Sequence, residues 1–185
     1  MHERLEELKI RLGQVTDLRS ASALLDWDQM VMMPPAGASV RSYRQATLER
    51  VAHERFADDR IGELLNDLVD LESSLPYDSD DASLIRVTRR DWEKARRIPA
   101  DLAARLTQTA SEAMEAWVSA RAANDYGAFR PWLDRQLELK QEYIACFESA
   151  ADPYDHLLDD FEPGTSTAEV AAVFRVVAVG LHDHR

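Results

Sequence analysis

Two His-Glu pairs are the residues of this sequence best suited by type to hydrolytic chemistry. A helix that holds a catalytic divalent ion through His-Glu-x-x-His places two imidazoles four residues apart on one face. Its glutamate then takes a proton from metal-bound water. Here His2-Glu3 is followed by Glu6 where the second histidine belongs, and His53-Glu54 by Ala57. Neither pair completes the platform, so no catalytic, cofactor-binding or metal-ligating residue is assigned, and no cofactor is expected in this chain. Glu49 and His53 share a helix face at i,i+4 and read as an ordinary surface contact. His182, Asp183 and His184 point to different helix faces at the chain terminus and read as no site.

Three further groups invite weighing. Asp155, Asp159, Asp160 and Glu162 precede Pro163-Gly164 but lack the glycine and loop spacing of an EF-hand, so they read as solvated caps. Arg86, Arg90, Lys94 and Arg97, with Arg89 and Arg96, form a basic stripe that suits either phosphate or acidic neighbouring helices, and the structural use is preferred. Trp27, beside Asp28, reads as a buried anchor. No nucleophile-elbow motif joins Ser, His and Asp, and no Gly-rich phosphate loop is present.

The elements that would position these residues are helices. Leu5, Leu8, Leu12, Val15 and Leu18 recur at three and four residues on a first helix that runs to Leu25. Pro34-Pro35 then breaks the chain, and Gly37 and Ser39 offer a turn and an N-cap, so two helices meet at a corner over 26–39. Val40, Tyr43, Thr47 and Val51 are predicted to face inward on the second helix. Asp58 or Asp59 caps a third with Ile61, Leu64, Leu65 and Leu68 inside. Asp78 or Ser79 starts a fourth with Ile85, Thr88, Trp92 and Ala95 inside.

Pro99 opens a fifth helix whose predicted stripe is Leu102, Leu106, Ala110, Ala113, Trp117 and Ala120. Asn124-Asp125 ends it and caps a sixth, with Phe129, Leu133, Leu137, Lys140, Ile144 and Phe147 inward. A short turn carries Tyr154, Leu157, Leu158 and Phe161. Ser166 and Glu169 match a capping box, and a last helix buries Val170, Val173, Phe174, Val177 and Leu181. No strand alternation, repeat or linker is visible. The chain reads as one all-α region over 1–185, a bundle of about seven to eight helices.

With 45% apolar residues the chain can bury a sizeable core, and its net charge of −12 disfavours nucleic acid and anionic membrane as partners. The single cysteine, Cys146, excludes an internal disulfide and fits a reducing compartment. The charged N-terminus lacks a signal-peptide core, so a cytoplasmic location is expected.

The order Trp27-Asp28-Gln29, Met33-Pro34-Pro35, Gly37 and a helix with Arg41 resembles the N-terminal region of the Taq-carboxypeptidase-like zinc metallocarboxypeptidases. Ile98-Pro99-Ala100, AWVSARAANDYGAF from Ala116 to Phe129, and DPYDHLLDDFEPGTSTAEVAAVF from Asp152 to Phe174 are similar to the same family, in order along nearly the whole chain. The resemblance implies a larger all-α metallopeptidase that removes residues one at a time from peptide C-termini. Zinc or a similar divalent ion, a glutamate-activated water and a homodimer belong to the complete enzyme. The N-terminal helices would frame the entrance to its active-site groove.

The family's His-Glu-x-x-His lies beyond residue 185, and the final GLHDHR departs from its continuing helix. The chain is therefore expected to be a truncated, inactive portion that self-associates or pairs with the missing C-terminal catalytic region. The alternatives are a stand-alone α-helical interaction module without catalytic activity, and a phosphate-binding domain using the Arg86 to Arg97 stripe.

Overall fold

Side chains of Asp58, Ser79 and Ser166 satisfy free backbone groups at three helix starts, whereas the helix that begins at Ala38 has Gly37 before it and no side-chain cap from the predicted Ser39. The computed structural model describes residues 2–182, which contain helices and no strand. Helix α1 spans His2–Val31, a 3₁₀ turn Pro35–Gly37, α2 Ala38–Phe56, α3 Asp59–Asp67, α4 Val69–Ser74 and α5 Asp80–Ala95. Then follow α6 at Ala100–Ala123, α7 at Tyr126–Ile144, α8 at Asp155–Leu158 and α9 at Thr167–His182. The Asp58 carboxylate accepts from Arg60 N at 2.8 Å, and Ser79 Oγ accepts from Ala82 N, so the predicted caps of α3 and α5 are formed. Pro99 stands one residue earlier than predicted, as the N-cap of α6. No described helix is long and apolar enough to cross a membrane.

Backbone contacts divide the chain into two units, 1–139 and 140–185, with the boundary inside α7. In the first unit the α1 stripe packs as its spacing dictates. Leu5, Leu8 and Val15 are buried, with Leu12 and Leu18 against them. They meet Ile61, Leu64, Leu65 and Leu68, all essentially inaccessible, and Ile85 and Trp92 of α5. Each such side chain contributes about 1.5–3 kcal/mol by leaving water. A close approach lies between α3 and α5, where a Cβ on Gly62 would sit 2.3 Å from the Trp92 ring.

Other helices depart from the predicted stripes. On α2, Val40 and Tyr43 are 52% and 60% exposed and Thr47 is exposed, while Ser42, Gln45, Ala46, Ala52, His53 and Phe56 are buried. Ser42 and Gln45 have polar partners across the contact, which is why a polar face is tolerated inside. On α6, Leu102, Ala113 and Ala120 are buried as expected. Ala110 and Trp117 are exposed, and Thr109 and Ser111 take inward places. On α7 the buried ladder runs through Leu139 and Tyr143, one residue out of phase with the predicted Lys140 and Ile144, and Leu137 is exposed. On α9, Val173, Phe174 and Val177 are exposed rather than inward, and the side chain of Leu181 lies outside the described residues.

The second unit is tied by polar contacts in the acidic segment. The Tyr143 hydroxyl donates to Asp160 at 2.7 Å, and burial together with that carboxylate pushes the phenol well above its ordinary pKa. Ser166 and Glu169 form the predicted capping box: Ser166 N donates to Glu169 Oε2 at 2.8 Å, and Glu169 N to Ser166 Oγ at 3.3 Å. Thr167 N donates to Asp155 Oδ1 at 2.7 Å, so an acid from α8 sits at the start of α9, and hydrogen bonding by Thr167 lowers its pKa. Gly164, at φ +81, lies in the left-handed region that glycine tolerates, and its N–H donates to Asp159.

Candidate functional site

The corner at the end of α1 is a polar joint. Three successive residues of a helix lie about 100° apart, so Trp27, Asp28 and Gln29 cannot all face one neighbour. The structure turns Asp28 and Gln29 toward α2 and α6. Asp28 is paired with Arg41, whose guanidinium also donates to Leu25 O at 3.3 Å. Gln29 makes a reciprocal pair with Ser111: its Nε2 donates to Ser111 O at 3.2 Å and its Oε1 accepts from Ser111 Oγ at 2.9 Å. Ser42 Oγ donates to Glu112 Oε1 at 3.0 Å, which also accepts from Gln108 at 2.9 Å. Gln45 donates to Asp26. The expected burial of Trp27 is thereby overturned: the indole points outward and is 57% exposed.

Most of the other singled-out residues serve packing. His53 is not a surface partner of Glu49. It is buried, and its Nε2 lies 2.7 Å from Ile98 O, which fixes α2 against the turn before α6. In the basic stripe, Arg86 donates to Tyr77 O and stacks 3.8 Å from the Tyr77 centroid. Arg89 donates to Leu65 O and pairs with Glu72, Arg90 pairs with Asp91, and Arg96 lies over Trp92. Asp155, Asp159 and Asp160 accept the bonds already described, so the acidic group braces its own segment. Asp183 and His184 lie outside the described residues, as does the side chain of His182.

His53, at the centre of one His-Glu pair, has its ring nitrogen against a backbone carbonyl, and no three His, Cys, Asp or Glu side chains converge among the described residues. An open cavity of about 190 Å³ does form at the turn between α6 and α7, between Trp117, Ala120 and Phe129. A wider apolar trough of about 520 Å³ runs along Leu25, Val40, Tyr43, Thr47 and Leu48. The trough is the predicted α2 stripe, left uncovered. The cavity was not legible as a site, although its residues fall in the segment Ala116 to Phe129 quoted for its resemblance.

The fold is one found within all-α carboxypeptidases. It superimposes on the solved structure of BsuCP with a TM-score of 0.87 at 25% identity, over 94% of this chain and 35% of that one. On that of Pyrococcus furiosus carboxypeptidase the TM-score is 0.74 at 29% identity, over 96% and 35%. The chain is 38% identical over 175 residues to thermostable carboxypeptidase 1 of Thermus thermophilus, covering 89% of this chain and 34% of the relative. Residues 7–184 match the family described as carboxypeptidase Taq (M32) metallopeptidase, and the chain belongs to that family. It spans about a third of the length of the curated relatives it matches.

Proposed function

We propose that these 185 residues form the N-terminal helical region of a metal-dependent carboxypeptidase that releases amino acids from peptide C-termini, and that they shape the approach to its site without hydrolysing the bond. The family match over 7–184, set against coverage of a third of each relative, is the observation that carries this reading. Its chemistry agrees: neither His-Glu pair completes a zinc platform, and His53 is committed to Ile98 O. Zinc or a similar ion would be held by residues outside this sequence.

The uncovered apolar surface supports a packing role. Leu24, Trp27, Met30, Val31 and Met32 at the corner are more than half exposed, and the α2 trough adjoins them through Leu25. Monomers rarely present apolar patches of such extent, so this face is proposed to pack on the catalytic region or on a second copy. The same surface also favours the second reading, a stand-alone helical interaction module.

The test of the enzymatic reading is incubation of purified 1–185 with zinc or cobalt and a blocked dipeptide, beside a His53→Ala control. No release of the C-terminal residue is expected. Metal-dependent release that disappears in the control would show that the chain assembles a site of its own.

A further inference from the structure

The cavity at the α6–α7 turn is made from residues of the segment Ala116 to Phe129, which has no use of its own in the function proposed above. Its floor is apolar, from Trp117, Ala120 and Phe129, and its volume of about 190 Å³ lies below the roughly 300–1,000 Å³ of pockets for drug-sized ligands. Nucleotides and comparable cofactors are too large for it. Arg121 and Asp125 line the same cavity with opposite charges.

These charges stand four residues apart, a spacing at which helical residues of opposite sign ordinarily pair. They do not pair here, because the backbone changes direction between them. Asn124 adopts a left-handed conformation, φ 53, that ends α6, and Asp125 Oδ1 accepts from Ala128 N at 3.1 Å to start α7. The second Asp125 oxygen has no partner among the described residues. The Arg121 guanidinium lies 5.5 Å from the Trp117 centroid and makes no ion pair among them. The cavity thus presents one cation and one carboxylate oxygen, both on exposed side chains and neither ion-paired among the described residues.

We propose that this cavity binds a free α-amino acid with an apolar side chain, its carboxylate on Arg121, its ammonium on Asp125 and its side chain against Trp117 and Phe129. Charge-assisted hydrogen bonds of this kind are the strong ones, and guanidinium suits a carboxylate. A ligand with only one charge leaves either Arg121 or Asp125 unmatched. The class of ligand is also the class of molecule a carboxypeptidase releases, but the site rests on its own geometry and not on that activity.

The experiment is a titration of 1–185 with L-leucine, L-leucinamide and N-acetyl-L-leucine, following the Trp117 indole and Asn124 side-chain amide resonances. Leucine is expected to give saturable shifts at both, and the two singly charged analogues to bind at least about tenfold more weakly. Arg121→Gln should make leucine and leucinamide equivalent. Asp125→Asn, which keeps the capping acceptor, should make leucine and N-acetyl-leucine equivalent. Absence of a saturable leucine shift up to its solubility limit, or equal binding of all three ligands to the parent chain, overturns the proposal. Because no catalysis is measured, either result leaves the family reading as it stands.

Discussion

Replacing Gly62 with alanine places a methyl group 2.3 and 2.4 Å from Cη2 and Cζ2 of Trp92, where carbon atoms need about 3.5–4.0 Å. The indole has little room to retreat. It is 9% exposed, and its Nε1 donates to Asp58 O, the carbonyl of the α3 cap residue, at 3.2 Å. Overpacking of this kind costs about 1–3 kcal/mol, and loss of the indole bond adds about 0.5–1.5 kcal/mol. Alanine returns about 1 kcal/mol through its helix propensity, which leaves a net loss of about 1–3 kcal/mol. At about 2–4 °C per kcal/mol for a chain of this size, Gly62→Ala should lower the melting temperature by roughly 2–12 °C. Urea and thermal unfolding followed by circular dichroism measure it directly. In a Trp92→Phe background the clashing ring atoms are gone, so the same substitution should be neutral or stabilising, a coupling that a double-mutant cycle isolates. A rise in melting temperature for Gly62→Ala in the parent chain would refute the close approach of α3 and α5.

Asp28→Ala and Arg41→Ala should each cost about 1–3 kcal/mol, because the Arg41 side chain is only 12% exposed and its charge-assisted bonds tie α1 to α2. The double variant should lose little more than either single one by urea denaturation. Trp27→Ala, by contrast, should change stability by less than about 0.5 kcal/mol, and a larger loss would mean that the indole is covered in solution. The Glu7 carboxyl is held at about 2 by hydrogen bonds from Arg60 and Arg11, below its usual 4.5. A depressed carboxylate contributes stability that is present above its ordinary pKa and lost as pH falls toward the folded value. Glu7→Gln should therefore unfold earlier than the parent in urea at neutral pH, with the difference shrinking between about pH 4.5 and 2. Finally, 1–185 should bind a hydrophobic dye and associate with rising concentration in sedimentation, and Val40→Glu with Tyr43→Glu should reduce both.

Helices whose packing is apolar were legible from sequence, and helices whose packing is polar were not. Ile61, Leu64, Leu65, Leu68, Ile85 and Trp92 go inward because the hydrophobic period and the buried face coincide on α3 and α5. The caps at Asp58, Ser79 and Ser166 were equally plain, since each depends on residues within a few positions. On α2 the strongest apolar period marks the outer face, and the inner one is chosen by partners dozens of residues away, such as Glu112 for Ser42. Period alone cannot reveal such pairs. The requirement for Gly62 has the same origin: it is set by the Trp92 ring of another helix. As for the candidate site, the segment Ala116 to Phe129 stood out by resemblance, but the cavity arises from a left-handed Asn124 whose effect on Arg121 and Asp125 is geometric.

Helix α2 shows what this division means for function. Its inner face buries Ser42 and Gln45, and polar groups stay inside without a large penalty only where they are hydrogen-bonded. Ser42 meets that condition through Ser39 O and Glu112, whereas Gln45 uses its Nε2 on Asp26 and leaves Oε1 buried without a partner. Such contacts fix orientation and contribute modest net stability. The outer face, with Val40, Tyr43 and Leu48 beside Leu25, could contribute about 1.5–3 kcal/mol for each large apolar side chain fully covered. A further burial term on this helix, beside that of Ala46, Ala52 and Phe56 on its inner face, therefore lies on the side that the chain does not cover. A helix so arranged is oriented by its own chain and stabilised by whatever packs on it. Under the function proposed above, that is the behaviour of a framing element, and the stability of the α1–α2 corner would then follow the occupancy of its outer face.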